Sequence, residues 1–180
     1  ASVAKHFKNK CAKIISNDYE QYSFVLQKNY IGNNVDEDFT AIIERYNKCS
    51  GIHGALTEAL SPAGSEGRMF FTEYNARKID AIRSMLEKEK ESGIINDNQY
   101  YFLLCSLLES ADKYSNTTGV YGAFLKKFNT RSSSKLELEA YLPEFCDTES
   151  EAYRADSNSL IKDITGDVLY LDPPYNNRQY

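Results

Sequence analysis

The hydrophobic positions near the start of the chain switch between helical and strand-like spacing. Residues 1–10 and 19–30 have apolar side chains at helical intervals, and residues 12–16 form a short strand-like run between them. This succession predicts part of an alternating α/β unit. In such units ligands bind at the carboxyl ends of the strands, and here residues 17 and 18 follow the strand directly.

The middle of the chain has mainly helical periodicity. Residues 36–49 place apolar side chains at the i, i+3, i+4 and i+7 positions of an amphipathic helix. Residues 50–68 contain four glycines and a proline, which predicts a loop. Residues 116–119 predict a polar turn, and we expect residues 120–128 to form a short helix.

Two long helices are predicted between the loop and this turn. Thr72 has the residue type of an N-cap, and helical spacing continues from it to about residue 91. Gly93 then ends this helix. Asn96 or Asp97 caps the second helix, which contains a run of leucines at helical spacing.

The α/β pattern returns near the end of the chain. We expect a short strand at residues 151–155, a short helix or turn at 157–164 and a buried strand at 168–171. The predicted fold class is α/β, a sheet interrupted by a large, mainly helical insertion. Three segments follow from this order of elements: 1–31 as the first part of the core, 32–150 as the insertion and 151–180 as the return to the core.

Composition and charge narrow the class of protein. The 180 residues are 42% hydrophobic and 26% charged, which is ordinary for a globular protein and excludes a disordered or fibrous chain. No apolar run approaches the roughly 20 residues that cross a bilayer, so we expect no membrane partner. The net charge of −5 also provides no global basic field for nucleic acid.

The charge is unevenly distributed, however. Residues 119–135 contain no acidic side chain and four basic ones: Lys126, Lys127, Arg131 and Lys135. A run of this kind is usually a solvated face of the protein. The alternative is a local patch that contacts phosphates.

The four cysteines are far apart and lack the spacing of a metal site, so no metal is predicted. Cys11 and Cys105 stand in apolar stretches, and we expect both to be reduced residues of the core. A reducing, cytoplasmic setting is the default for such a chain.

Residues 172–175 read Asp-Pro-Pro-Tyr and follow the predicted strand 168–171 directly. Neither proline has an N–H group, so the strand must end there, and the fixed proline geometry stiffens the segment. The segment therefore offers hydrogen-bond acceptors only, and an aromatic ring comes next. The simplest interpretation is a Pro-Pro turn that ends a strand, but the position in an α/β unit favours a functional one.

An acceptor-only corner suits an exocyclic amino group on a planar ring. The ionised carboxylate of Asp172 and the carbonyl of Pro173 would accept the two amino hydrogens, which makes the lone pair of the nitrogen available. Tyr175 would stack on the ring, an interaction worth about 1–3 kcal/mol. If the ring belongs to DNA, the base must first be extruded from the duplex.

The run 171–180 resembles the catalytic motif of S-adenosylmethionine-dependent, adenine-specific DNA methyltransferases of restriction–modification systems. Residues 3–7, 17–20, 71–73 and 116–126 resemble other stretches of that family, so the resemblance covers most of the chain. It implies a partial Rossmann-like methyltransferase sheet, S-adenosylmethionine as cofactor, double-stranded DNA as substrate and a cognate restriction endonuclease that acts on the same site. Both ends look like cuts through a fold, so we expect a fragment of such an enzyme.

The resemblance also implies cofactor contacts. Asp18 would accept hydrogen bonds from the ribose hydroxyls, and Tyr19 would lie near the adenine of the cofactor. Asp156 would accept from the amino group of that adenine, beside Ser157. Without the motif, Asp18 and Asp156 are equally well interpreted as a helix cap or a turn residue.

The catalytic residues and the DNA contacts follow from the same resemblance. The catalytic residues would be Asp172, Pro173, Pro174 and Tyr175. The predicted DNA contacts, by phosphates or near the extruded base, are Asn116, Thr117, Thr118, Tyr121, Lys126, Lys127, Arg131, Lys135 and Arg178.

Two other functions remain open at the level of the sequence. One is methylation of another planar amino group, on an RNA base or a glutamine side chain. The other is a non-catalytic, helical DNA-binding module. Asp172 bears on the first alternative, because relatives that act on glutamine carry Asn at this position and cytosine-directed relatives usually carry Ser.

Overall fold

The computed structural model describes residues 1–33, 37–117 and 123–173, which form a mixed α/β structure with a small parallel sheet. A π-helical turn, Lys28–Gly32, continues the second helix. The elements of the described residues are, in chain order, α1 (Ser2–Phe7), β1 (Lys13–Asn17), α2 (Gln21–Gln27), α3 (Thr40–Asn47), α4 (Ala55–Leu60), α5 (Glu73–Glu91), α6 (Asp97–Tyr114), α7 (Thr130–Ser133), β2 (Glu149–Tyr153) and α8 (Ser157–Leu160).

The sheet pairs a strand near the start of the chain with a strand that follows the long helices. β1 and β2 are parallel, and their register runs from Lys13 opposite Glu149 to Asn17 opposite Tyr153. The ammonium of Lys13 forms ion pairs with Glu149 at 2.7 Å and with Glu151 at 2.6 Å. Because the strands are parallel, their carboxyl ends meet at one edge of the sheet.

Both long helices begin where their sequence predicts, and the first also ends where it is predicted to end. The Thr72 hydroxyl accepts a hydrogen bond from the backbone N–H of Asn75 at 3.2 Å and caps α5. Gly93 follows that helix with a φ of +71°, a conformation that favours glycine. Asn96 caps α6 and forms a capping box with Gln99.

The hydrophobic core surrounds α5 and α6, which pack against each other. The rings of Phe39 and Phe102 stack with centroids 3.8 Å apart. The buried cluster extends from Val25 of α2 to Leu138, so the helices and the start of the chain share one core. The division into segments 1–31, 32–150 and 151–180 stays a prediction.

A buried lysine fastens α1 to the π-helical turn. The Lys8 ammonium is fully buried and donates to the backbone carbonyls of Tyr30 at 3.0 Å and Asn33 at 3.1 Å. Burial lowers the pKa of Lys8. The two carbonyls stand at the end of the π-helical turn, where a cation is favourable.

Residues 134–141 form an extended segment that is held by side chains instead of by a neighbouring strand. We call this run the clamped segment. The amide of Asn47 donates to the Leu138 carbonyl at 2.9 Å and accepts from the Leu138 N–H at 2.8 Å. Asn75 binds the carbonyl of Ser134 and the N–H of Leu136 in the same way. Further along, backbone groups of the clamped segment bond to Ser110, Ser106 and Asn29.

The predicted loop 50–68 contains a helix that its local sequence does not indicate. The carboxylate of Asp80, on α5, accepts hydrogen bonds from the backbone N–H groups of Gly54, Leu56 and Thr57. These groups lie at the start of α4, so a residue distant in sequence provides the cap. The loop prediction was wrong over Ala55–Leu60 for this reason.

Two predicted helices differ from the structure. The helix expected at residues 36–49 is α3, which begins at Thr40, after the Asp38 carboxylate has accepted the Thr40 N–H in a turn. The helix expected at residues 120–128 is absent from the described part, residues 123–128. There Phe124 pairs with Thr117, and Asn116 binds both backbone groups of Leu125.

The buried strand predicted at residues 168–171 was wrong. Val168 is 89% exposed, and the three residues after it are 60–66% exposed. The segment has no strand conformation, since β1 and β2 pair with each other and neither extends its ladder to it. An apolar run becomes a strand only where another strand completes its backbone hydrogen bonds.

The prediction for the cysteines holds for Cys105 and was wrong for Cys11. Cys105 is fully buried on α6, whereas Cys11 is exposed in the turn between α1 and β1, where its thiol donates to the Phe7 carbonyl. In the same turn it is the Lys8 side chain that enters the interior, and the Cys11 side chain remains at the surface. Burial raises the pKa of the Cys105 thiol to about 12.

Alkylation should separate these two cysteines. In the native protein at pH 8, we expect iodoacetamide to modify Cys11 readily and Cys105 only after denaturant is added, because a buried thiol with a raised pKa supplies almost no thiolate. Peptide mass spectrometry measures the two rates, and Cys11→Ser should remove the fast reaction. Equal rates in the native protein would contradict the placement of Cys105.

Removing one clamp should destabilise the fold. Asn47→Ala leaves the N–H and the carbonyl of Leu138 without partners next to the core, which should cost about 2–3 kcal/mol of unfolding free energy. Asn98→Ala, an exposed asparagine on α6, should change that free energy by less than about 0.5 kcal/mol. Urea unfolding followed by circular dichroism provides both values, and equal stability of the two variants would refute the importance of the clamp.

Candidate active site

The carboxyl ends of β1 and β2 bring the four predicted cofactor residues together. We call residues 17–19 and 155–157 the carboxyl edge. The backbone N–H of Asp18 donates to the carbonyl of Tyr153 at 3.3 Å, which continues the ladder past the last strand residues. Across the edge, the guanidinium of Arg154 donates to the Tyr19 carbonyl at 3.1 Å.

Asn17 ties the two halves of the carboxyl edge to each other. Its amide nitrogen donates to the Ala155 carbonyl and to the Ser157 hydroxyl, each at 3.0 Å. Its amide oxygen accepts from the Ala155 N–H at 3.0 Å. The sequence analysis missed this residue, although a polar side chain at the end of a strand, next to a candidate site, was the available signal.

The two carboxylates of the edge hold their own loops and keep acceptor capacity. Asp18 accepts from the Glu20 N–H at 2.9 Å and from the Ser23 hydroxyl at 2.5 Å. Asp156 accepts from the Asn158 N–H at 2.8 Å and caps α8. A carboxylate has about four lone-pair positions, so each can accept further hydrogen bonds from a ligand. The structural roles of cap and turn are therefore compatible with binding.

The edge also presents an aromatic ring. The Tyr19 side chain is 70% exposed, and its backbone is held by Arg154. Asp156 and Ser157 are exposed beside it, and Asp18 is half-buried. Hydrogen-bond acceptors for a diol and for an amino group thus lie next to a flat apolar surface. These are the contacts that a nucleoside needs.

Asp172 and Pro173 lie at the end of the described residues, and both are exposed. Within residues 1–33, 37–117 and 123–173, no lysine or arginine forms an ion pair with Asp172. Likewise, no hydrogen bond between described residues links Asp172 to the carboxyl edge. The predicted partners Pro174 and Tyr175 lie outside the described residues.

The four basic residues of segment 119–135 are exposed, and we call them the basic surface: Lys126, Lys127, Arg131 and Lys135. None of them forms an ion pair with another described residue. Arg131 lies on α7, and Lys126 and Lys127 precede that helix. Three predicted DNA contacts, Thr118, Tyr121 and Arg178, lie outside the described residues.

The prediction that Asn116 contacts DNA was wrong, because its side chain is fully buried and its amide is bonded to interior groups. It instead holds the segment of the basic surface against the core. Its amide nitrogen donates to the carbonyls of Met69 at 2.9 Å and Leu125 at 2.8 Å, and its amide oxygen accepts from the Ser132 hydroxyl at 3.2 Å. Leu125 directly precedes Lys126, and Ser132 directly follows Arg131. Thr117 pairs with Phe124 beside this anchor.

Two further features concern the described part of the chain, residues 1–33, 37–117 and 123–173. No three His, Cys, Asp or Glu side chains there are arranged to hold a metal ion. Among the helices of these residues, none combines the length and the apolar character needed to cross a membrane.

Comparison with known proteins now defines the class. The family model described as D12 class N6 adenine-specific DNA methyltransferase matches residues 1–180, the whole chain. The chain belongs to this family. No solved structure matches it.

Named relatives show the same relationship. The chain is 42% identical over 180 residues to Type II methyltransferase M.NlaIII of Neisseria lactamica, covering 99% of this chain and 54% of that protein. It is 39% identical over 170 residues to Type II methyltransferase M.CviAII of Paramecium bursaria Chlorella virus 1, covering 92% and 50%. It is 35% identical over 189 residues to Type II methyltransferase M.FokI of Planomicrobium okeanokoites, covering 99% and 29%. The chain thus spans about half the length of the first two relatives and less than a third of the last.

The hydrogen bonds between Asn17 and Ala155 can be tested by hydrogen exchange without any ligand. Asn17→Ala removes the acceptor of the Ala155 N–H, so exchange of that amide with deuterium should accelerate by about fivefold or more. Asn158→Ala, an exposed asparagine on the adjoining helix α8, should leave the exchange rate unchanged. Exchange followed by NMR or by fragmentation mass spectrometry reports the rate, and an unaltered rate in Asn17→Ala would contradict the tie.

Proposed function

We propose that the complete protein transfers a methyl group to the exocyclic N6 amino group of adenine at specific sites in double-stranded DNA. The observation that carries the proposal is the exposed acceptor pair of Asp172 and Pro173 in a chain that matches the adenine-specific family over its whole length. The proposal sets this reaction in the cytoplasm. It also includes a partner, a restriction endonuclease that acts on the same DNA site.

The methyl donor is S-adenosylmethionine, bound at the carboxyl edge. Two features of the edge fit this cofactor: carboxylates with free acceptor positions at Asp18 and Asp156, and the exposed ring of Tyr19. Asp18 takes the ribose hydroxyls, Asp156 takes the adenine amino group beside Ser157, and Tyr19 packs near the adenine. When bound, the cofactor supplies an electrophilic methyl group on a positively charged sulfur.

The fold that serves this chemistry is Rossmann-like. The parallel pair β1 and β2, with its ligand edge at the carboxyl ends, supports a methyltransferase core built from segments 1–31 and 151–180. Segment 32–150 is then the target-recognition region. The basic surface, which lies in this region, contacts phosphates, and Asn116 supports it from the interior.

The catalytic residues activate and position the target amine. Asp172 and Pro173 would accept the two amino hydrogens, so the nitrogen lone pair would be less delocalised into the ring. It would then be available to bond the methyl carbon as the carbon–sulfur bond of the donor breaks and a neutral thioether leaves. The proton that the nitrogen gives up passes to the Asp172 carboxylate or to water beside it. Pro174 fixes the corner, and Tyr175 stacks on the extruded base.

Replacement of Asp172 tests the reaction. In the full-length protein, Asp172→Ala should lower the rate of methyl transfer to duplex DNA by about 100-fold or more, because one charged acceptor is lost in the transition state. Affinity for the same DNA should change less than about threefold, since phosphate contacts supply most of it. Asp167→Ala, an exposed carboxylate in the same stretch, is the matched control and should keep full activity.

The assay uses incorporation of labelled methyl groups and fluorescence anisotropy for binding. Equal methylation by wild type and Asp172→Ala would exclude the catalytic role and leave the non-catalytic DNA-binding module. Methylation of RNA in preference to duplex DNA would favour another planar amino group as substrate.

A further inference from the structure

The start of α5 lies against the part of the chain that carries Lys135. Asn75, in the first turn of this helix, is fully buried, and its amide binds the Ser134 carbonyl at 2.9 Å and the Leu136 N–H at 2.8 Å. These two hydrogen bonds enclose Lys135 on both sides. The backbone of Lys135 is therefore fixed opposite the helix start, whereas its side chain points outward and is exposed.

Tyr74, the residue before Asn75, forms a pair with Lys135 at the surface. The ammonium of Lys135 lies 5.2 Å from the centroid of the Tyr74 ring, a cation–π contact. Tyr74 is 50% exposed, and its hydroxyl has no hydrogen-bond partner within the described ranges of the chain. A free donor and an unpaired cation thus stand side by side on a rigid support.

The other three residues of the basic surface are supported in a similar way. Asn116 forms hydrogen bonds with both backbone groups of Leu125, the residue before Lys126. It also accepts a hydrogen bond from the hydroxyl of Ser132, the residue after Arg131. Ser132 also contributes its carbonyl to Asn75 at 3.4 Å, so the two buried asparagines act on one small helix, α7. Two interior amides therefore hold the segments that carry the four cations against the core, and Tyr74 directly precedes one of these two asparagines on α5.

A phosphate is the ligand that this arrangement fits. Hydroxyl and ammonium donors bind phosphate oxygens, and more than half of protein hydrogen bonds to DNA go to phosphate or sugar. One face of the Tyr74 ring is occupied by Lys135, which makes the hydroxyl, more than the ring face, available for contact. The lack of ion-pair partners among the described residues leaves Lys135 able to neutralise an external charge.

We propose that Tyr74 and Lys135 form a single DNA-contact unit at the start of α5, in which the Tyr74 hydroxyl donates to a backbone phosphate and Lys135 adds its charge. The inference rests on the proposed function and extends the DNA surface from segment 119–135 to a helix that the sequence analysis did not assign to DNA. The unit contributes affinity and orientation, not the choice of sequence.

The salt dependence of binding distinguishes the two members of the unit. In the full-length protein, Lys135→Gln should reduce the slope of log affinity against log salt by about 0.9, the value for one phosphate neutralised. Tyr74→Phe removes an uncharged donor, so affinity should fall about three- to tenfold at every salt concentration with an unchanged slope. Both variants should unfold at the same urea concentration as wild type, since each side chain is exposed.

Matched controls come from the same protein. Lys88→Gln changes an exposed lysine in the last turns of α5, about 21 Å along the helix from Tyr74, and should leave the slope unchanged. Tyr22→Phe changes an exposed tyrosine of α2 and should leave the affinity unchanged.

The outcomes separate this inference from the proposed function. If wild type binds and methylates duplex DNA but Tyr74→Phe and Lys135→Gln bind as wild type does, the inference is overturned and the proposed function stands. If Lys88→Gln reduces the slope as much as Lys135→Gln does, a general charge effect replaces the unit. If wild type neither binds nor methylates duplex DNA, both proposals fall.

Discussion

The structure depends on one requirement: buried backbone groups that have no neighbouring strand must still form hydrogen bonds. The clamped segment, residues 134–141, passes beside the core in an extended conformation, and each of its buried N–H and carbonyl groups must find a hydrogen bond. Side chains of the surrounding helices supply them, with Asn47 and Asn75 each binding a donor and an acceptor. Leu136 and Leu138 can then turn inward and join the core. A side-chain amide replaces a neighbouring strand, because it carries the same donor and acceptor as a peptide group.

Side-chain amides also support the two regions proposed to bind ligands, the carboxyl edge and the basic surface. Asn17 binds the N–H and the carbonyl of Ala155 at the carboxyl edge, and Asn116 binds the carbonyl of Leu125 under the basic surface. In each case the residues proposed to contact ligand stand on loops or in the first turn of a short helix, where they present polar groups to solvent. The interior amide supplies the rigidity that a loop lacks by itself. Asn17 and Asn116 thus give support only, whereas Asp18 and Asp156 hold their own loops and also keep acceptor positions for a ligand.

Local signals predicted the elements that local interactions determine. Thr72, Gly93 and Asn96 marked the ends of α5 and α6 correctly, because caps act within one turn. The start of α4 depends on Asp80 from another helix, and the exposed run after residue 167 depends on which strands are present to pair with it. For the site, residue chemistry and motif resemblance indicated Asp18 and Asp156, and the parallel sheet brings them to one edge. Asn17 escaped notice because its role is to bind a loop that is distant in sequence and adjacent only after β1 and β2 have paired.

The order of the chain has a consequence for how the carboxyl edge forms. β1 and β2 are neighbours in space, yet the whole helical region separates them in sequence. Closing so long a loop has an entropic cost that only later contacts offset, whereas α5 and α6 make contacts across a short connection. We therefore expect the helical pair to collapse first and to act as the template on which the two distant strands meet. The residues of the carboxyl edge would then be among the last parts of the molecule to reach their native arrangement.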